Sequence, residues 1–178
     1  MSGYILPYDG VLPAIAEDAF IAPNATVIGN VTIGSQSSIW FNTVIRGDVM
    51  AIRIGDRTNL QDGTIVHVTG GMFDTLIGSD VLVGHRAIIH GATLEDACFV
   101  GMGAIVLDGA VVESGAMVAA GATVTPGKRV KRGELWAGSP AKLFREIGDE
   151  EFNEFAGGTE GYRKLGQEYK KTLLAMST

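Results

Sequence analysis

Histidine occurs three times in the 178 residues, at His67, His85 and His90. Three neutral imidazoles are the donor set of a divalent metal with one position left open, the arrangement of a catalytic rather than a structural zinc centre. Such an ion lowers the pKa of a bound water to about 7 and makes hydroxide available at neutral pH. Imidazole suits iron, cobalt and nickel as well, so residue type alone leaves the ion open. The spacing resists this chemistry. His85 and His90 stand five apart within GHRAIIH. On a helix that offset carries the side chain far around the cylinder, and on a strand an odd offset sends the two to opposite faces. Something other than one helix or one strand must bring the rings together.

The chain supplies it through a repeat of six. Aliphatic residues recur at that interval from Ile15 to Ile45, from Ile54 to Val66, from Ile77 to Ile89 and from Leu94 to Val124. Eighteen hexads result, each opening with Ile, Leu or Val, and all but two carry a small or β-branched fifth residue, Gly70 and Lys128 being the exceptions. A helix cannot hold a strict period of six, and a hairpin meander would show longer alternating runs. Short β-branched steps with turn residues between them make a solenoid of small flat faces, the aliphatic position pointing to the axis.

This pattern resembles the hexapeptide-repeat proteins, over residues 11–130. The resemblance implies an all-β solenoid, a left-handed parallel β-helix of triangular section with three hexads per coil, hence about six coils and a C-terminal α-helix. An N-terminal segment 1–14, a β-helix over 15–135 and a helical segment 136–178 packed on it are the expected units. The GSPAK run at 138–142 looks like the superfamily's exit from the last coil, with Pro140 at a helix start. Helical spacing is expected over 141–147 and 159–175, with Tyr162, Leu165, Tyr169 and Leu173 on one stripe and Gly157-Gly158 between the two pieces.

Hexads three apart share a face and lie one coil apart, ~4.8 Å by strand spacing. His67 and His90 are second residues of hexads three apart, so their side chains stack in one column, with Arg46 in the next slot down. His85 is the third residue of a hexad on the neighbouring face and points away from that column. It can complete a three-histidine site only from a second chain, and a cyclic trimer would make three such shared sites.

The block IRGDVMAIRIGDRTNLQDGTIVH at 45–67, followed by GHRAIIHG, resembles the γ-class carbonic anhydrases. That resemblance implies a trimeric zinc lyase, with Fe²⁺ or Co²⁺ as other fits, in which His67, His85 and His90 are the metal ligands and metal-bound hydroxide attacks CO₂ to give bicarbonate. It makes Arg46, Asp48 and Asp62 parts of a subunit contact, and Asn59 and Gln61 polar neighbours of the metal-bound solvent. The loop after His67, VTGGMFDTL, is short and has Asp74 as its one acid, where the best-known form of the family carries a longer loop with a glutamate proposed as a proton shuttle. The chain thus resembles the short-loop subgroup, in which a tyrosine from the C-terminal helix approaches the site. Tyr162 is the candidate and Tyr169 its competitor. Two other functions suit the fold: an acyl-CoA-dependent acyltransferase using one histidine as base, and a metal-binding homologue with little turnover.

A net charge of −6 and the lack of any basic block beyond KRVKR at 128–132, read as a solvated edge, exclude a nucleic-acid binder. Glycines, Asp108 and Glu113 interrupt the apolar run 97–124, which excludes a membrane span. One cysteine, Cys98, fits a reducing compartment, and MSGYILPYDG has no signal-peptide pattern, so a cytoplasmic location is expected.

Overall fold

Short parallel strands stack coil upon coil on three faces. A computed structural model describes residues 3–175. Face one holds Ile65–His67, Ile88–His90 and Ile105–Val106; face two holds Thr75–Ile77, Thr93–Leu94 and Val111–Val112; face three holds Asn59–Leu60, Leu82–Val83 and Phe99–Val100. Each strand pairs in parallel with the one a coil away, setting like hexad positions side by side: Val66 against Ile89, Ile77 against Leu94, Leu60 against Val83. Every hexad-opening aliphatic except Ile15 is buried, so the core is one continuous column of Ile, Leu and Val.

The corners explain the rest of the hexad. Ser37, Thr43, Thr58 and Thr64 are buried at fifth positions, and each hydroxyl donates to a carbonyl one coil further on, those of Gly55, Gln61, Gly78 and Gly84. A polar residue is tolerated there because its hydrogen bond is made. The fourth residue takes a positive φ at corner after corner: Arg57, Asp80, Arg86 and Ala97 in the middle coils, Gly103, Gly109, Gly115 and Gly121 above them. Val49 fits the fifth position by type but not by burial, standing 50% exposed. It lies within one unbroken strand, Val44–Ile54, which pairs with Thr26–Ile33 across a register shift and omits the sharp corner.

The all-β solenoid with its C-terminal helix is as expected, with one refinement and two corrections. The solenoid has about seven turns rather than six. Tyr4–Leu6 pairs below the first hexads, and Trp136 continues the inward positions of face three above Val118. The frame is lost before Ile15 and ends on an aromatic residue, so neither addition follows the aliphatic period. Residues 142–146 form no helix: Lys142–Glu146 is a strand antiparallel to Glu134–Ala137, and Pro140 lies in the turn between them. The last strand of a sheet exposes unpaired amides and carbonyls, and this hairpin covers them. Finally, one helix, Asp149–Ala175, runs straight through Gly157 and Gly158.

The helix descends face three. Phe155 packs on Phe99, Tyr162 edge-on to Trp40, and Tyr169 on Phe20. A Cβ on Gly158 would touch the Leu82 side chain, and one on Gly166 would press on Ser38 at 3.0 Å. Close packing on the sheet thus outweighs the ~1 kcal/mol that each glycine costs a helix interior. No helix among the described residues is long and apolar enough to cross a membrane.

Two outcomes follow for stability. At Gly121 φ is +68° and a Cβ would meet nothing within 4 Å. Gly121→Ala therefore isolates backbone strain and should lower unfolding free energy by about 1 kcal/mol in chemical denaturation. Cys98 is 2% exposed, and burial pushes its thiol far above the usual range. It should stay unreactive toward a thiol reagent at pH 8 until the protein is unfolded.

Candidate metal centre

Two histidines meet where the repeat places them. His67 and His90 end the paired strands Ile65–His67 and Ile88–His90 and stand in direct register. The residue before each is buried in the core, so the alternation of the strand turns both imidazoles outward on face one. His67 Nδ1 and His90 Nε2 are 3.1 Å apart.

The remaining ring nitrogens are committed elsewhere. His67 Nε2 lies 3.0 Å from Asp48 Oδ1, and His90 Nδ1 lies 2.7 Å from Asp108 Oδ1. A carboxylate only accepts, so these partners assign the proton to Nε2 of His67 and to Nδ1 of His90. Two lone pairs are left facing each other, a repulsive arrangement unless a proton or a metal cation sits between them. Two nitrogens bound to one tetrahedral zinc at about 2.0–2.1 Å would stand roughly 3.3 Å apart, close to the separation found. The donor set therefore fits a divalent ion.

His85 stands away from this pair. It lies in the corner between face three, at Leu82–Val83, and face one, at Ile88–His90, whereas the pair sits at the opposite edge of face one. Among the described residues no three histidine, cysteine or acidic side chains form a ligand set within one chain. His85 Nδ1 is 3.0 Å from Asp62 Oδ2, which leaves its Nε2 available. Each histidine thus has one carboxylate partner, the pairing that fixes tautomer and ring direction in metal sites.

Arg46 occupies the slot below His67 and donates to Asp48. Burial raises the Asp48 pKa, but the hydrogen bonds from His67 and Arg46 outweigh it and hold the carboxyl below its ordinary range. At Asp108 the bond from His90 leads the effects that lower the carboxyl, with burial opposing it and Thr69 adding to it. Gln61 is buried at 5% exposure and its Oε1 accepts the backbone N–H of His85 at 3.1 Å, so it anchors the corner that carries this histidine. Asn59 is buried beneath the helix; its Nδ2 donates to Ser38 Oγ, and its Oδ1 is without a partner among the described residues. Tyr162 is half-buried against Trp40, 5.6 Å between ring centroids, on the same face as Asn59 and Gln61. Tyr169 packs among Phe20, Trp40 and Phe41.

Sequence reasoning missed Asp108 and Thr69. A signal existed for Asp108: it is the third residue of the hexad one coil above His90, beside that ring. Thr69 had none, because it reaches Asp108 from a loop that interrupts the repeat.

The model for the bacterial transferase hexapeptide (six repeats) matches residues 13–47, and that for the hexapeptide repeat of succinyl-transferase matches 75–108 and 93–126. Gamma carbonic anhydrase 2, mitochondrial, of Arabidopsis thaliana is 51% identical over 160 residues, which are 87% of this chain and 58% of that protein. The chain thus spans little more than half the length of that relative. A carbonic anhydrase of Geobacillus kaustophilus is 46% identical over 166 residues, covering 93% of this chain and 91% of its own length. A solved structure described as a putative acetyltransferase from Bacillus cereus superposes with a TM-score of 0.94 at 41% identity, covering 97% of this chain and 99% of its own.

Packing and chemistry at Tyr162 can be separated. Tyr162→Ala should destabilise the protein by about 2 kcal/mol, part of the usual cost of removing a buried aromatic ring. Tyr162→Phe should melt as the wild type does, so that any change in its activity reports the hydroxyl alone.

Proposed function

Because the chain belongs to the γ-class carbonic anhydrases, a family built on hexapeptide-repeat solenoids, we propose that it interconverts CO₂ and bicarbonate at a divalent metal shared between subunits of a homotrimer. The observation that carries this is the facing pair of lone-pair nitrogens on His67 and His90, 3.1 Å apart. Zinc suits this imidazole set, and Fe²⁺ or Co²⁺ would find the same donors. When bound, such an ion supplies a water acidic enough to act as nucleophile near neutral pH.

The chain's own residues prepare the place. His67 and His90 present one nitrogen each, and Asp48 and Asp108 keep the other nitrogen of each ring protonated. His85 of a second copy brings the third nitrogen, its ring held by Asp62 and its backbone by Gln61. Arg46 lies beside Asp48 at the rim, where a neighbouring subunit would meet it. The roles of Asn59 and Tyr162, on the face that also carries Gln61, are to bind and orient polar solvent near the third histidine.

The surfaces of the three faces support the trimer. The helix covers face three. Face two is charged, with Arg129 paired to Glu113 at 2.9 Å. Face one presents Val44, Ile65, Ile88 and Ile105 outward in one register-aligned column beside the histidines, with Ile65 38% exposed. An outward aliphatic column bordering the two ligands is the surface that a second copy would bury. The Bacillus protein described as a putative acetyltransferase shares the whole fold, but acyl transfer needs one histidine as a base rather than a converging pair.

Metal content and CO₂ hydration should be measured on one preparation purified without chelator. Wild type should carry a divalent ion and hydrate CO₂ above buffer background, and His67→Ala should lose both. Wild-type protein free of metal would overturn the reading. Ile105→Glu, which puts a charge into the aliphatic column, should sediment as a monomer and lose its metal with all three histidines intact. A verified monomer that keeps full affinity would exclude a shared site.

A further inference from the structure

The loop that follows His67 is short, yet it is built tightly around the second metal-facing histidine. Thr69 N donates to Phe73 O at 3.1 Å, and Phe73 N donates back to Thr69 O at 3.0 Å. The far end of the loop is pinned where the Ala51 N–H donates to Asp74 Oδ1 at 2.8 Å. Closed in this way, the loop sends the Thr69 hydroxyl to Asp108 Oδ2 at 3.0 Å, although the two residues are 39 apart in sequence.

Asp108 therefore has both carboxylate oxygens engaged. Oδ2 accepts from Thr69, and Oδ1 faces His90 Nδ1 at 2.7 Å. The carboxylate stands directly over Gly91, the residue after His90. A Cβ on Gly91 would lie 2.4 Å from Asp108 Oδ1 and 3.0 Å from the Cβ of Phe73. A Cβ on Gly109 would meet the Phe73 ring at 3.1 Å. Two glycines thus leave room for one carboxylate, which backs His90, and for one aromatic ring beside it in the loop. The Asp48–His67 pair is more buried, at 13% and 19% exposure against 31% and 32% for Asp108 and His90, but Asp48 is shared with Arg46, and Asp62 is 40% exposed.

We infer that Asp108, braced by Thr69 from the short loop, is the positioning residue that sets the tautomer and ring direction of His90, so that Nε2 faces the metal. This rests on the metal site proposed above. It also gives the short loop a task of its own, since it folds back to brace this carboxylate.

The test begins with metal-free trimer. The sequence holds only three histidines, so long-range ¹H–¹⁵N correlation spectra resolve three rings, with His90 assigned by its loss in His90→Gln. Wild type should show His90 protonated at Nδ1. Asp108→Ala should shift His90 toward the Nε2-protonated form and weaken Co²⁺ binding, followed by visible absorption, roughly 10–100-fold. Asp108→Asn, which keeps the shape and one acceptor oxygen, should restore part of both readouts and covers the case in which the alanine variant fails to fold. Thr69→Val should weaken Co²⁺ binding in the same direction by less. If His90 keeps its Nδ1 proton, or Co²⁺ affinity is undiminished, in a folded Asp108 variant, the role of Asp108 is overturned while the metal site stands. Wild-type protein that takes up no Co²⁺ overturns the metal site itself.

Discussion

The register between successive coils is the constraint from which the site descends. Val66 and Ile89 lie side by side in the core, and one residue later His67 and His90 lie side by side on the surface. A slip of one residue would turn the aliphatic set outward and the polar set inward. Burying each Val or Ile contributes about 1.5–3 kcal/mol, and the column repeats through every coil, so such a slip is strongly opposed. The two imidazoles need no interaction of their own to find each other. Their separation is inherited from strand pairing and then trimmed by the two carboxylates behind them.

The three faces divide the remaining tasks. Face three is covered by the helix, whose glycines at 158 and 166 sit where the sheet comes closest. Face two carries ion pairs such as Arg129–Glu113 and faces solvent. Face one carries the paired histidines at one edge of an aliphatic column, and His85 lies beyond the other edge. In the proposed trimer such a prism suits cyclic assembly, since each copy would offer a pair of histidines at one edge and a single one at the other. The five-residue gap between His85 and His90, unworkable within one strand, is the distance around a corner from one edge to the other.

Departures from the repeat coincide with chemistry. The unbroken strand Val44–Ile54 holds Arg46 and Asp48 where a corner would otherwise fall, and the loop after Val68 supplies Thr69. A perfect solenoid would have presented outward residues in regular columns and nothing to brace them. The interruptions let residues from outside the column approach it: Asp48 reaches His67 from one side, and the loop secures Asp108 behind His90.

Much was legible in order of residues alone, because a period of six has few structural solutions and because hexad phase assigns each side chain to a face. That phase stacked His67 on His90 and separated His85, as the strand pairing has it. Other features rested on contacts that no local pattern encodes. Trp136 continues the core although it breaks the aliphatic rule, and Lys142–Glu146 is a strand because an open sheet edge lies beside it. Gly157 and Gly158 look like a helix break, yet the helix continues because the sheet beneath receives it. Asp108 and Thr69 show the same limit at the site. By itself the sequence determined the coil, the column and the identity of the three histidines. Only the tertiary structure decided which carboxylate each ring answers to, because a hydrogen bond across 39 residues depends on where a loop closes and not on any period.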